Sequence, residues 1–182
     1  MRVTALALPE VLLIEHQTFE DARGAFFESW NERAFAAAGI EARFVQENVS
    51  HSRAHVLRGL HYQLPHAQGK LVRVLAGTIF DVVVDLRRSS RAFGTHAAVT
   101  LDAGRQQSLW VPAGFAHGFL SLTDETRVQY KVTDFWVREA EHTLAWDDAA
   151  LGIRWPLPAG VTPLLSAKDR EGRSLARAEC FP

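Results

Sequence analysis

The stretch 57-LRGLHYQLPHAQGKLVRVLAGTIFDVVVDLR-87 decides the fold of this chain. Its second half predicts two strands, 70-KLVRVLA-76 and 78-TIFDVVVDL-86, because apolar and β-branched residues dominate both and Gly77 marks a turn between them. Its first half carries polar or titratable side chains at Arg58, His61, Tyr62, Gln63, His66 and Lys70. Burying such groups without polar partners costs free energy. The stretch therefore predicts a β protein whose strands carry a polar site.

Short strands continue on both sides of this stretch, separated by glycine-containing turns. They are expected at 11-VLLIEHQTF-19, 43-RFVQENVSH-51, 96-HAAVTL-101, 107-QSLWVP-112, 117-HGFLSL-122 and 127-RVQYKVTDFW-136. Only 31-NERAFAAAGI-40 and 166-SAKDREGRSLA-176 are predicted to be helical, with Asn31 and Ser166 as N-caps and Gly39 ending the first. This spacing predicts an all-β jelly roll, with a few short helices and a ligand cavity between its sheets.

Composition limits the class of protein. A chain of 182 residues with 47% hydrophobic and 23% charged residues suits one globular domain, expected to span residues 1–182. The net charge of −1 gives no basic field for nucleic acid or a membrane surface. No apolar stretch approaches the ~18 to 20 residues that span a bilayer, and no signal peptide is predicted. Because the lone Cys180 has no partner for an internal disulfide, a cytoplasmic protein is expected.

Metal binding is not predicted. A β-barrel metal site calls for two histidines at i and i+2 on one strand, but His61 is followed at that spacing by Gln63. His51 and His55 are four residues apart in a polar segment that is typical of a loop. Acid–base chemistry at His61 is the alternative to a structural core histidine. In strict alternation Arg58 and His61 face opposite ways, and a bulge at Gly59 would re-aim one of them.

Two further residues have a structural and a functional interpretation. Tyr130 lies in 128-VQYKV-132, where a buried hydroxyl either makes a structural hydrogen bond or donates a proton in the cavity. Asp169 forms a capping box with Ser166 at a helix start, or it orients a histidine. The residues alone leave both pairs of alternatives open.

Segments along most of the chain resemble the dTDP-4-dehydrorhamnose 3,5-epimerase family. The matching segments are 22-ARGAFFESW-30, 44-FVQENVSHS-52, 57-LRGLHYQ-63, 68-QGKLVRVLAGTIFDVVVDLRRSS-90, 93-FG-94, 109-LWVPAGFAHGFLSL-122, 128-VQYK-131, 146-WDDAALGIRWP-156 and 165-LSAKD-169. Several are contiguous over ten residues or more, which is more specific than one short motif. The resemblance implies a cupin-type jelly roll, a homodimer, and no metal or other cofactor.

The resemblance also implies a reaction. It is epimerisation of dTDP-4-dehydro-6-deoxy-D-glucose at carbons 3 and 5, giving dTDP-4-dehydro-L-rhamnose. A base removes a weakly acidic proton beside the ketone, and an acid returns one on the opposite face. By the resemblance, His61 matches the base and Tyr130 the acid. Asp169 matches the partner of that histidine, and Lys70 the cation beside the developing enolate oxygen.

Ten more positions match substrate contacts of the family. Arg23 and Arg58 match residues that grip the phosphates, and Glu28, Gln46 and Asn48 match thymine and sugar contacts. Further matches are Phe26, Gln63, His117, Glu141 and Lys168. Without the resemblance, a solvated surface group is the simpler interpretation of the charged residues Arg23, Glu28, Glu141 and Lys168.

One segment departs from the family pattern. Phe135 and Trp136 stand where family members usually carry two tyrosines, so both hydroxyls are lost. Some relatives invert only one carbon and differ in how aromatic side chains orient the sugar. A single-centre epimerase is therefore the alternative function. Two other classes of protein are disfavoured. Gln63 disfavours a metal-dependent cupin oxygenase, and the presence of His61, Tyr130 and Asp169 disfavours a non-catalytic sugar-nucleotide-binding module.

Overall fold

The computed structural model describes residues 1–182, which form two facing antiparallel sheets and a separate hairpin. The strands are β1 (Arg2–Ala5), β2 (Leu12–Glu15), β3 (Thr18–Asp21), β4 (Gly24–Phe27), β5 (Gln46–Ser52), β6 (Leu57–Gln63), β7 (Lys70–Ala76), β8 (Thr78–Asp85), β9 (His96–Asp102), β10 (Gln107–Val111), β11 (Phe115–Ser121), β12 (Thr126–Val132) and β13 (Glu141–Thr143). The six-stranded sheet has the order β1-β2-β10-β7-β12-β5, and the five-stranded sheet the order β13-β6-β11-β8-β9. This architecture confirms the predicted all-β jelly roll.

Helices are short and peripheral, as predicted. They are α1 (Glu32–Ala37), α2 (Ala167–Arg170) and two 3₁₀ turns at Ala103–Arg105 and Arg138–Ala140. Asn31 caps α1 by accepting a hydrogen bond from the Ala34 N–H at 3.1 Å. The helix α2 is one turn long and does not reach residue 176, because Gly172 packs directly against the backbone of residues 144–145. No helix in the structure is long and apolar enough to cross a membrane.

The main core lies between the two sheets. It is built from inward-facing residues, among them Val72, Val74, Ile79, Val83, Leu109, Phe115 and Val128. Strand β8 is buried on both faces, because Val82 and Val84 pack on its other side against the C-terminal part of the chain. Burial on both faces explains why β8 is almost continuously apolar. Asp81 interrupts that apolar run on the inward face.

Two predicted strands have different bounds. The segment 11–19 divides into β2, which pairs with β1 and β10, and β3, which pairs only with β4. The segment 127–136 leaves the sheet after Val132 and continues as a loop. The strands β1, β4 and β13 were not predicted, because each is only three or four residues long.

The bulge predicted at Gly59 is present. The pairing of β6 with β11 shifts between His117↔His61 and Phe119↔Arg58, which leaves one extra residue in β6. Gly59 has φ +129°, and a Cβ there would lie 2.5 Å from the Cα of Gly118. Only glycine fits this close approach. Because of the bulge, Arg58 and His61 both face the space between the sheets.

Candidate active site

A cavity of about 680 Å³ lies between the sheets. It brings together His61, Tyr130, Asp169, Lys70, Gln46, Asn48, Arg58, Gln63, His117, Glu141 and Lys168, all of which were predicted as site residues. The six-stranded sheet contributes one wall, with Tyr130 on β12 and Lys70 on β7. The five-stranded sheet contributes the other, with His61 on β6. Tyr130, the predicted acid, and His61, the predicted base, therefore approach the cavity from opposite walls.

His61 and Asp169 form a hydrogen-bonded pair across 108 residues of sequence. The His61 Nε2 lies 2.7 Å from the Asp169 Oδ1. Because an ionised carboxylate only accepts hydrogen bonds, Nε2 carries the proton and Nδ1 keeps its lone pair. Asp169 also accepts from the Ser166 hydroxyl at 2.6 Å and completes the capping box of α2. One carboxylate thus fulfils both roles that the sequence left open.

The surroundings keep the imidazole of His61 neutral, so that it can accept a proton. Burial lowers the pKa of His61 below its usual value, and the charges of Lys168 and Lys70 lower it further against the opposing effect of Asp169. Burial alone would raise the pKa of Asp169, but hydrogen bonds from His61, Ser166 and the Gly59 N–H outweigh it and hold that pKa below its usual range. At neutral pH the pair is therefore a neutral imidazole beside a carboxylate.

Lys70 is a buried cation that lines the cavity. Its Nζ donates a hydrogen bond to the backbone carbonyl of His61 at 3.1 Å, which ties one wall to the other. Burial lowers the pKa of Lys70 to about 8, while the charges of Asp81 and Glu141 oppose the fall. Lys70 is therefore charged at neutral pH and loses its proton under mildly alkaline conditions.

The two tyrosines differ in what their hydroxyls contact. Tyr62 is turned away from the acid–base pair and donates a hydrogen bond to the Glu179 carbonyl at 2.6 Å, so its role is structural. Tyr130 lines the cavity, and its hydroxyl forms no hydrogen bond within the chain. Burial raises the pKa of Tyr130, with Arg58 opposing the rise, so the phenol keeps its proton at neutral pH. This arrangement favours the proton-donor interpretation of Tyr130.

Cations and amides surround the acid–base group. The guanidinium of Arg58 is fixed by Ser52 and by the His51 carbonyl, each at 3.1 Å. Lys168 pairs with Glu141 at 2.7 Å. Gln46 and Asn48 are linked side chain to side chain at 2.9 Å on β5. These groups give the cavity both the positive charge and the hydrogen-bonding capacity that a phosphorylated, hydroxyl-rich ligand requires.

Gln63 lines the cavity, but its amide is committed to the chain. Its Nε2 donates to the carbonyls of His66 at 2.7 Å and Phe135 at 3.1 Å, and its Oε1 accepts from the Val137 N–H at 2.7 Å. Gln63 therefore fixes the loop at residues 134–137, which we call the aromatic loop. This loop places Trp136 on the cavity wall and leaves Phe135 exposed.

Three predicted site residues lie outside this cavity, on or next to the hairpin of β3 and β4. Arg23 forms an ion pair with Asp21 at 2.6 Å. Phe26 is 72% exposed. Glu28 accepts a hydrogen bond from Asn31 at 3.1 Å. Within one chain, the structure does not bring these residues to His61.

Asp81 was not predicted as a site residue. The His117 Nε2 lies 2.9 Å from each carboxylate oxygen of Asp81, so the cavity wall holds a second histidine–aspartate pair. A carboxylate at an inward position of the most apolar strand was the signal that could have identified it. No group of three or more His, Cys, Asp or Glu side chains is arranged to hold a metal ion.

A jelly roll in which a histidine–aspartate pair faces a tyrosine across a cavity is typical of an enzyme that works by acid–base catalysis. A sequence profile of the dTDP-4-dehydrorhamnose 3,5-epimerase family matches residues 5–177. The chain belongs to this family, which confirms the resemblance drawn from its motifs.

Individual relatives agree with this assignment. The chain is 52% identical to the dTDP-4-dehydrorhamnose 3,5-epimerase of Pseudomonas aeruginosa strain PAO1, over the full length of both. The crystal structure of dTDP-6-deoxy-D-glucose-3,5-epimerase from Legionella pneumophila Philadelphia 1, in complex with dTDP-4-keto-L-rhamnose, is 40% identical with a TM-score of 0.94, covering 98% of this chain and 94% of that one. A 3'-monoepimerase from Streptomyces bikiniensis in complex with dTDP-quinovose is 34% identical with a TM-score of 0.88, covering 94% and 87%.

Proposed function

We propose that this protein inverts carbons 3 and 5 of dTDP-4-dehydro-6-deoxy-D-glucose to give dTDP-4-dehydro-L-rhamnose. The observation that carries the proposal is the placement of His61 and Tyr130 on opposite walls of one cavity. Inversion requires a proton to leave one face of a carbon and another to arrive on the opposite face. A base and an acid that face each other across the ligand meet this requirement.

Each inversion uses the neutral imidazole of His61, the ammonium of Lys70 and the phenol of Tyr130. The neutral imidazole of His61 takes the proton from the carbon beside the ketone, and Asp169 stabilises the imidazolium that forms. The electron pair of the broken C–H bond moves into an enolate, whose oxygen is stabilised by the Lys70 ammonium. Tyr130 then gives its proton to the opposite face of the carbon. Carbons 3 and 5 flank the same ketone, so the same groups serve both, once His61 has lost its proton to solvent and Tyr130 has regained one from it.

Single-centre epimerisation remains the alternative because Phe135 and Trp136 replace the usual tyrosine pair. Similarity favours double inversion, since the 3,5-epimerases described above are 52% and 40% identical to this chain, whereas the monoepimerase is 34% identical. The test is to incubate the purified protein with dTDP-4-dehydro-6-deoxy-D-glucose and trap the product with a downstream ketoreductase. A reduced product of L-rhamno configuration is expected. A product inverted at one carbon only would contradict double epimerisation.

Binding of the nucleotide is proposed to depend on the cations of the cavity. Arg58 and Lys168 lie on the wall that carries His61, where they can contact the phosphates while the sugar reaches the imidazole. No cofactor is required, because proton transfers alone invert each carbon. Chelator treatment is therefore expected to leave activity unchanged. Loss of activity that is restored by a metal would contradict the metal-free mechanism.

We propose further that the protein works as a homodimer in which the β3–β4 hairpin completes the partner's cavity. The hairpin pairs with no other strand of its own chain, and it exposes Phe19 and Phe26 side by side. Exposed aromatic pairs of this kind are typical of interfaces. A second chain would cover them and bring Arg23 to a cavity that lacks it within one protomer.

Mixing two impaired variants, assayed at a substrate concentration near the wild-type KM, tests this arrangement. We expect His61→Ala and Arg23→Ala homodimers to be impaired at both sites. If the hairpin completes the partner's cavity, each mixed dimer regains one intact site, and random pairing restores about a quarter of wild-type activity. No restoration after verified subunit exchange would contradict the arrangement, and a monomer by sedimentation analysis would contradict the dimer itself. The expected cytoplasmic location, supported by the lone Cys180, is tested by cell fractionation.

A further inference from the structure

The second histidine–aspartate pair lies beside the first. His117 on β11 is the direct cross-strand partner of His61 on β6, so their rings project side by side from one wall. The carboxylate of Asp81 comes from the next strand, β8, and is 0% exposed. Both oxygens of Asp81 lie within 2.9 Å of the His117 Nε2. The other ring nitrogen of His117, Nδ1, forms no hydrogen bond with the chain.

This geometry fixes what His117 presents to a ligand. Burial raises the pKa of Asp81, while the hydrogen bond from His117 and the charges of His117 and Lys70 oppose the rise. The Nε2 of His117 lies at the same distance from both oxygens of Asp81, as expected for one N–H shared by a carboxylate, so Nε2 carries the proton and Nδ1 is an acceptor. An acceptor suits a sugar hydroxyl, whereas the ketone oxygen requires a donor such as Lys70. His117 and Lys70 therefore match two different oxygens of the sugar.

We propose that Asp81 is a positioning residue for the reaction: it holds His117 in the tautomer that accepts a hydrogen bond from a sugar hydroxyl. Asp81 itself does not touch the substrate. The proposal rests on the proposed function and extends it to a buried group behind the cavity wall.

Other charges around Lys70 also bear on its protonation. They are Glu141 on β13, Lys168 on α2, His61 on β6 and His117 on β11, in addition to Asp81 on β8. Glu141 is paired with Lys168, so their charges oppose each other near the ammonium. Among these charges, that of Asp81 opposes the effect of burial on the pKa of Lys70 most strongly. Its charge is therefore the one whose removal would change Lys70 most.

The test is the pH profile of kcat for Asp81→Asn, after wild-type turnover has been established. We expect kcat at neutral pH to fall about 10- to 100-fold, as for other residues that orient a ligand-contacting histidine. We also expect the falling alkaline limb to move to lower pH, because Lys70 loses its proton more readily. The affinity for dTDP, measured by calorimetry, should not change, since the groups proposed to bind phosphate are intact.

Controls separate positioning from structure. Asp85→Asn removes another fully buried carboxylate of β8, one that binds Arg87 and Ser90 outside the cavity; it should lower thermal stability without moving the alkaline limb. His117→Gln should lower kcat without moving that limb, because Asp81 keeps its charge. In the His117→Gln background, Asp81→Asn should still move the limb but cost little further kcat.

A measurement on the wild-type protein covers the case in which Asp81→Asn fails to fold. Long-range ¹H–¹⁵N correlation spectra, with the His117 signals assigned through His117→Gln, should show the tautomer protonated at Nε2. Protonation at Nδ1 would overturn the proposal. Wild-type kcat in folded Asp81→Asn would overturn it as well. If the wild-type protein did not turn over the substrate, the proposed function would fail, while the tautomer measurement would still report on Asp81.

Discussion

The cavity wall and the β3–β4 hairpin both carry predicted site residues, but they hold them in different ways. On the wall, His61 and Asp169 are 23% and 4% exposed and are fixed by hydrogen bonds from two segments, β6 and the start of α2. On the hairpin, Arg23 is 90% exposed and contacts only its neighbour Asp21. The comparison teaches that one chain brings the proposed base and the proposed acid to one cavity, whereas the proposed role of Arg23 in binding requires a second chain.

The largest expected effect concerns the wall. His61→Ala removes the base, and we expect kcat to fall by about 10⁴-fold, the upper range for a general base. Binding of dTDP should persist, because Arg58 and Lys168 remain in place. Steady-state kinetics and calorimetry measure the two properties separately. Residual activity within tenfold of wild type would mean that another group acts as the base.

Tyr130→Phe sharpens the division of labour within the cavity. We expect inversion to slow by about 10² to 10³-fold because the second face loses its proton donor. Exchange of the substrate protons with solvent should continue, since His61 is intact. Inversion at the wild-type rate would show that Tyr130 is not the acid.

Arg23→Ala tests the hairpin. Removing a charged hydrogen-bond donor to a phosphate should raise KM about 10- to 100-fold and leave kcat nearly unchanged. Asp21→Asn is the matched control, because it frees Arg23 from its only ion pair and should not raise KM. A loss of kcat instead of binding would place Arg23 in the chemistry and remove the contrast between the two regions.

The pH profile should show the smallest effect. Activity requires neutral His61, whose pKa lies below 6.5, and protonated Lys70, whose pKa lies at about 8. The rate kcat/KM should therefore rise through the acid limb at a pH below 6.5 and fall near pH 8. Stopped assays across this range provide the measurement. An alkaline limb above pH 10 would show that Lys70 is not the titrating cation.

Much of the fold could be predicted because the strands β7 to β10 have strong local signals. Alternation and glycine turns marked them, and Gly59 marked the bulge that turns Arg58 and His61 the same way. The short strands β1, β4 and β13 could not be predicted, because three or four residues carry too little pattern. Their pairing is set by neighbours distant in sequence, as the pairing of β13 with β6 shows.

The site was predictable to a different extent. The pair of His61 and Asp169 rests on a contact across 108 residues, which motif resemblance supplied and spacing alone could not. The capping box at Ser166 was a local signal, but only the fold shows that Asp169 also binds a histidine. Asp81 was overlooked because a lone carboxylate within a strand has no local partner, and His117 reaches it only across the sheet.

The central claim is that His61 is the base for both carbons. It is tested most directly by incubating wild-type and His61→Ala protein with dTDP-4-dehydro-6-deoxy-D-glucose in heavy water and recording proton NMR spectra. The wild-type protein should exchange deuterium into carbons 3 and 5, and His61→Ala should exchange at neither. Exchange at either carbon in folded His61→Ala protein would contradict the claim, because a different group would then be removing that proton.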